Sequence, residues 1–330
     1  MASRCSSLCL TLLTLVSSWA AATAIAQQQQ EYRNVEPTSF TSNHNGQPET
    51  VTFGQHTPAV GDQVEQTISV EMRLATSLRR GNELVEKKST MMRNEQRRTV
   101  TTTEVADART TAVLVRYDRA TTQSLKAAEN EAASPGDSQI AAPPSGPIGQ
   151  PVQGKSYHCH REPGEQGRLV ITDTAGSIPP MNEYEIVARN METVGRPNPF
   201  VNFLTGRSLR VGETIALPKE VAHRLFGMGN EFGEVLRFDL TLEDVQAENG
   251  TRCAVFHALV DAASNDSSQM RLQVEGPLVV EIDSCRAVRT ELAGPIGMSE
   301  TRGSYSTAQQ LIGTGKLAMT ITSECRGVRR

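Results

Sequence analysis

Tryptophan is almost missing from this 330-residue chain: the single one is Trp19, accompanied by eight Phe and five Tyr. Sugar platforms and base-stacking grooves are built from aromatic faces, so this scarcity argues against both. A strong excess of one charge is missing too. Thirty-three Lys and Arg stand against 37 Asp and Glu, a formal net of −4, which excludes the basic surface a nucleic-acid binder carries. Motifs of assembled chemistry are also absent. The chain has no Gly-x-Ser-x-Gly, no Ser-x-x-Lys, no His-Glu-x-x-His and no Gly-rich phosphate loop. Nucleophilic, zinc-hydrolase and nucleotide chemistry therefore lack a sequence signature.

What is present begins with an address. Arg4 precedes an apolar run from Leu8 to Ala22, and Ala24-Ile25-Ala26 places small residues before Gln27. This predicts a signal peptide over 1–26, cleaved after Ala26, and an exported protein, periplasmic or extracellular. Cys5 and Cys9 fall within it, without the context lipidation requires. No later stretch is long and apolar enough to span a bilayer, so an integral membrane protein is not expected. Removing Arg4 leaves 32 basic residues against 37 acidic, a net of −5. Four cysteines remain beyond the signal: Cys159, Cys253, Cys285 and Cys325. An even count in an exported chain predicts disulfides, with three connectivities open. Cys253–Cys285 is the preferred pair, because both lie at ends of neighbouring predicted strands; Cys159–Cys325 follows by elimination.

Residues 27–57 are rich in Gln, Asn, Thr and Ser and read as a flexible leader. In 58–132 strand signals dominate. Val64, Ile68, Val70, Met72 and Leu74 alternate with polar residues, and Arg80-Gly81-Asn82 is a turn. This predicts an N-terminal antiparallel sheet of about four strands. Residues 133–154 hold Pro135, Pro143, Pro144, Pro147 and Pro151 and read as a linker or long surface loop. The remainder, 155–330, is read as a β-rich part with helices near 180–194 and 218–226. Its strands are expected at 233–245, 251–262, 269–275, 277–293 and 312–324, with Gly294 to Tyr305 as a loop. The fold class expected is α+β, β-dominated, with two antiparallel sheets and a few short helices. An internal echo links the two parts: Ala59-Val60-Gly61-Asp62 matches Arg210-Val211-Gly212-Glu213, and each precedes strands. If real, the echo implies two related curved sheets.

Candidate sites are few. His158 and His160 flank Cys159 and share one face of a predicted strand, which makes them weak metal candidates; no second cluster completes a site. No metal and no cofactor is expected. His257 sits mid-strand without a sequence-adjacent nucleophile or acid. Arg73, Arg79, Arg80, Lys87, Lys88, Arg93, Arg97 and Arg98 form a basic cluster, read as the wet face and edge of a sheet in preference to an anionic-surface patch. The apolar stripes Leu236, Phe238, Leu240, Leu242, Leu272, Val274, Val280, Ile282, Leu317, Met319 and Ile321 are the candidate lining of a ligand cradle.

Arg189-Asn190-Met191-Glu192, Gly195-Arg196-Pro197-Asn198-Pro199, Arg210-Val211-Gly212-Glu213 and Arg252-Cys253-Ala254-Val255-Phe256 carry a resemblance to a family of uncharacterised secreted bacterial β-rich proteins. The resemblance assigns no activity. At fold level the layout is similar to the unclosed half-barrels of periplasmic lipoprotein carriers. The expectation is a non-catalytic exported protein that binds an apolar or lipid ligand or an envelope component. The alternatives are a structural or interaction protein of the envelope with no small ligand, and, last, a hydrolase.

Overall fold

The computed structural model describes residues 49–128, 146–164, 167–226, 234–248, 250–264, 268–302 and 308–326. The signal peptide, the leader up to residue 48 and residues 129–145 of the Pro-rich region lie outside the described residues. In chain order the elements are β1 (Thr50–Thr52), β2 (Gln63–Arg80), β3 (Glu83–Ala106), β4 (Arg109–Ala128), β5 (Ile148–Gly149), β6 (Ser156–Arg161) and β7 (Leu169–Asp173). Helices α1 (Met181–Asn190) and α2 (Pro199–Leu204) follow, then β8 (Ser208–Arg210), β9 (Thr214–Ala216) and helix α3 (Lys219–Phe226). The chain continues through β10 (Glu234–Glu248), β11 (Thr251–Ala263), β12 (Ser268–Glu281), β13 (Ala287–Arg302) and β14 (Gln309–Arg326).

The protein is β-dominated, and one antiparallel sheet of 12 strands accounts for nearly all of it. The order is β7-β6-β4-β3-β2-β14-β13-β12-β11-β10-β9, with β5 on β4. The sheet is open, and its two edge strands are short. Strands β1 and β8 pair separately as a two-stranded sheet. The two runs of strands predicted from the sequence therefore join into a single sheet. The joint is β2 with β14, in register from Gln63↔Arg326 to Arg80↔Gln309.

Strand ends follow turn chemistry. Gly81 takes φ 58° in the two-residue β2–β3 turn, and Asp107 and Ala108 take φ 50° and 57° between β3 and β4. Two positive φ values mark the turn type that matches strand twist in a tight hairpin. Helix α2 begins as its sequence dictates: Pro199 opens it, and Asn198 Oδ1 accepts from the Phe200 and Val201 amides at 3.0 and 3.3 Å.

Two sequence expectations are corrected. Gly276-Pro277 does not end a strand, because β12 runs through it to Glu281. Gly294 to Tyr305 is not a loop as far as the described residues reach, because β13 continues to Arg302. The reason is close approach of backbones. A Cβ on Gly276 would lie 2.1 Å from Glu291 O, one on Gly294 2.0 Å from Gln273 O, and one on Gly315 1.9 Å from Arg73 O. These glycines serve strand packing rather than turning.

The internal echo is matched bond for bond. Gly61 N donates to Thr102 O, and Thr102 N donates to Asp62 O. In the second copy Gly212 N donates to Leu242 O, and Leu242 N donates to Glu213 O. Asp62 Oδ2 accepts from Ala59 N, as Glu213 Oε2 accepts from Arg210 N. Each turn docks on a strand just where the register shifts, between Thr102 and Glu104 in β3 and between Leu242 and Asp244 in β10.

Candidate functional site

Register assigns faces. Directly paired residues of antiparallel neighbours share a face. Met72 of β2 pairs with Leu317 of β14 and Met92 of β3. Val70 pairs with Met319 and Asn94, Ile68 with Ile321 and Gln96, and Gln66 with Ser323 and Arg98. Followed towards β10, this face carries the larger core, in which Leu240, Leu242, Phe256, Leu272 and Val280 pack with Phe200 and Leu204 of α2 and with Val221 of α3. Followed towards β7, the same face carries a second core, in which Val113, Val115, Tyr117 and Tyr157 pack with Val187 of α1. Helices thus cover one face of the sheet at both ends. Between them runs a lane over β14, β2 and β3 where Ile68, Val70, Met72, Leu74, Met319 and Ile321 are half-buried, with Val70, Met72, Leu74 and Met319 packed against the border of the larger core.

The eleven residues predicted to line a cradle divide accordingly. Phe238, Leu240, Leu242, Leu272, Val274, Val280, Ile282 and Leu317 are buried in the larger core under the helices. Leu236 is 51% exposed, outside the core. Met319 and Ile321 face the lane. The lane's β2 side, Ile68 to Leu74, has in sequence only the pattern of an ordinary half-buried strand. Its position beside β14 comes from a pairing between chain ends that local pattern does not reveal.

A polar row closes one end of the lane. Arg98 is 7% exposed, although the sequence places it in a basic cluster on a wet face. Its neighbours in that cluster do lie on the other face: Arg97 pairs with Glu65, Arg93 with Glu95 at 2.6 Å, and Arg73 with Glu71 at 2.7 Å. Arg98 Nε donates to Gln66 Oε1 at 2.9 Å, and its Nη1 reaches Gln96 Oε1 at 3.5 Å. Gln96 Oε1 also accepts from Asn190 Nδ2 of α1 at 3.3 Å, and Asn190 Nδ2 donates to the Tyr117 hydroxyl at 3.0 Å. Among the described residues no carboxylate pairs with Arg98. Burial pulls its guanidinium below the usual arginine range, with the Tyr117 oxygen opposing. Burial likewise pushes the Tyr117 phenol up. Two residue pairs along the lane from Arg98, the Asn94 amide oxygen is buried without a hydrogen-bond partner. The sequence holds one clue to this row: Met92, Asn94, Gln96, Arg98 and Val100 share a parity, so Arg98 belongs to the face of Met92 and Val100.

The other titratable groups have structural posts. Glu183 of α1, 7% exposed, accepts from Lys155 Nζ at 2.7 Å and from the Tyr157 hydroxyl at 2.6 Å. The Lys155 bond, then the Tyr157 bond, hold its carboxyl below the usual range. Burial, with help from Glu183, pushes the Tyr157 phenol well up. His158 and His160 are exposed while Cys159 is buried, its thiol pushed by burial to about 12. Among the described residues no group of three His, Cys, Asp or Glu is placed to hold a metal ion. His257 faces away from the core, opposite Thr241 and Pro277.

Neither predicted disulfide is formed: Cys159, Cys253, Cys285 and Cys325 are all free thiols. Cys159 in β6 and Cys325 in β14 are separated by β4, β3 and β2. At about 4.8 Å per strand that is far beyond the Cα separation a disulfide tolerates. Cys285 instead donates to Gly54 O at 3.0 Å, and Cys253 to Thr251 O at 3.6 Å. Two open depressions, of about 590 Å³ beside Thr50 and Arg210 and about 490 Å³ beside Arg161 and Arg196, have no lane residue in their walls.

No protein-family model matches the chain, and no curated protein matches it. A solved structure of lipovitellin, described in terms of its lipid–protein interactions, is similar with TM-score 0.40 and 7% identity. That match covers 83% of this chain, which spans about a quarter (26%) of the lipovitellin chain. No helix among the described residues is long and apolar enough to cross a membrane.

Proposed function

We propose that the protein is an exported, non-catalytic binder of an apolar, lipid-like ligand, and that the ligand lies along the lane over β14, β2 and β3. The observation that carries this reading is the distribution of cover on one face of one sheet. Both ends are sealed by helices, yet Ile68, Val70, Met72, Leu74, Met319 and Ile321 between them stay half-buried. Apolar surface in contact with water is unfavourable by roughly 25 cal/mol per Å². A contiguous stripe of it, bordered by polar groups, is what a ligand groove presents. The buried acid Glu183 and the buried thiols of Cys253 and Cys285 are taken up in hydrogen bonds within the fold, which fits a scaffold better than an acid–base centre.

The test is purification from the native source without detergent, then native mass spectrometry and organic extraction. Bound amphiphile in stoichiometric amount is the expected result. Val70→Asp should abolish its recovery while leaving the far-UV spectrum unchanged. Clean protein from repeated preparations, together with no uptake of a fluorescent acyl chain, would refute the reading.

A further inference from the structure

The lane is not uniform along its length. Its middle is aliphatic, and one end carries Gln66, Arg98 and Ser323 in a single row, with Gln96 in the next. Arg98 is the only cation in that row. It is 7% exposed, and among the described residues its neighbours on this face are amides and phenols, not carboxylates. A buried arginine is always charged, and removing that charge from water is costly unless an anion or a full set of acceptors answers it. Here two amide oxygens, one of them at 3.5 Å and shared with Asn190, and the Tyr117 hydroxyl take part of the guanidinium, all of them uncharged. The row therefore offers an anion what its own members do not supply.

We infer that Arg98 receives the anionic oxyacid head of a single-chain amphiphile whose apolar tail follows Ile68, Val70 and Met72. This rests on the proposed lipid-binding role and adds polarity and charge to the ligand. A guanidinium fork matches a carboxylate or phosphate with two parallel hydrogen bonds, and within a low-dielectric face such a bond is stronger than in water. Gln66 and Gln96 keep the guanidinium plane fixed from either side. The basic residues around Arg98 in sequence do not compete for the head, because they lie on the opposite face against Glu65 and Glu95.

The experiment is a binding titration of the chain from Gln27 with oleate, with oleyl alcohol as its uncharged counterpart, and with inorganic phosphate as a competitor. Wild type is expected to bind oleate on the order of 10- to 100-fold more tightly than the alcohol, the span of a hydrogen bond to a charged group. Arg98→Gln is expected to bring the two affinities together by weakening oleate and leaving the alcohol unchanged. Phosphate at millimolar concentration is expected not to displace oleate. Equal affinity of wild type for acid and alcohol overturns the inference while leaving the lipid-binding role standing. No binding of either chain overturns both. Displacement by phosphate overturns the assignment to an amphiphile. The acid-to-alcohol ratio is read on wild type, so the inference stays refutable if Arg98→Gln does not fold.

Discussion

Glu183 fastens helix α1 to the sheet, and replacing it with Gln tests the account of how that end of the face is sealed. The carboxylate accepts from Lys155 Nζ at 2.7 Å and from the Tyr157 hydroxyl at 2.6 Å, while Val187 one turn later is fully buried. Gln keeps the shape and one acceptor oxygen but loses the charge. A hydrogen bond to a charged group contributes about 1.5–3 kcal/mol net. The Lys155 side chain is 49% exposed, so solvent screens its share and the expected loss is about 1–2 kcal/mol. In a chain of this size that lowers the melting temperature by roughly 2–6 °C. The direction with pH follows from the depressed carboxyl. Its stabilisation is complete above the ordinary value of 4.5 and is lost as pH falls through the lower folded value. Urea unfolding of wild type and Glu183→Gln should therefore differ fully at pH 7, and the gap should narrow below about pH 4.5 and close in stronger acid. Tyr157→Phe should remove part of the same loss, and the double variant should lose less than the two singles added. A gap of the same size at pH 7 and in strong acid, or no gap at neutral pH, would refute the role given to this carboxylate.

Ala108 sits at φ 57° in the β3–β4 turn without the freedom of glycine, so Ala108→Gly should stabilise the protein by roughly 0.5–1 kcal/mol, read from the urea midpoint. The thiols give an independent check. A thiol reagent at pH 8 should label the exposed Cys325 first in the native chain from Gln27, and Cys159, Cys253 and Cys285 only after unfolding. Fewer than four thiols in the unfolded, unreduced protein would show that a disulfide forms after all.

Much of the fold was legible wherever local chemistry decides it. Leu236 to Leu242 alternate, and β10 forms there; the helices expected near 180–194 and 218–226 form at Met181–Asn190 and Lys219–Phe226. The matched Val-Gly-acid turns at 59–62 and 210–213 were legible as an echo, and the hydrogen bonds repeat it. Reading failed where a distant partner decides. Gly294 and Pro295 look like a loop until Gln273 O is seen against the glycine. Cys159 and Cys325 are an arithmetical pair, but the β2–β14 pairing sets strands between them. Arg98 reads as one more surface cation because burial of a charge depends on what covers it, here α1 and β4 with Asn190 and Tyr117. Of the lane's six aliphatic side chains only Met319 and Ile321 are among the eleven expected lining residues, and eight of those eleven fill the larger core.

The strand that opens the large sheet and the strand that ends it lie side by side at its centre. While the polypeptide is being synthesised, β2, β3 and β4 can zip together early, but the free border of β2 waits for the 18-residue β14 to emerge from the ribosome. An unmatched border of that length invites pairing with the wrong chain. A chain ended a few residues before Gln309 would leave that border bare permanently, so loss of β14 would do disproportionate harm.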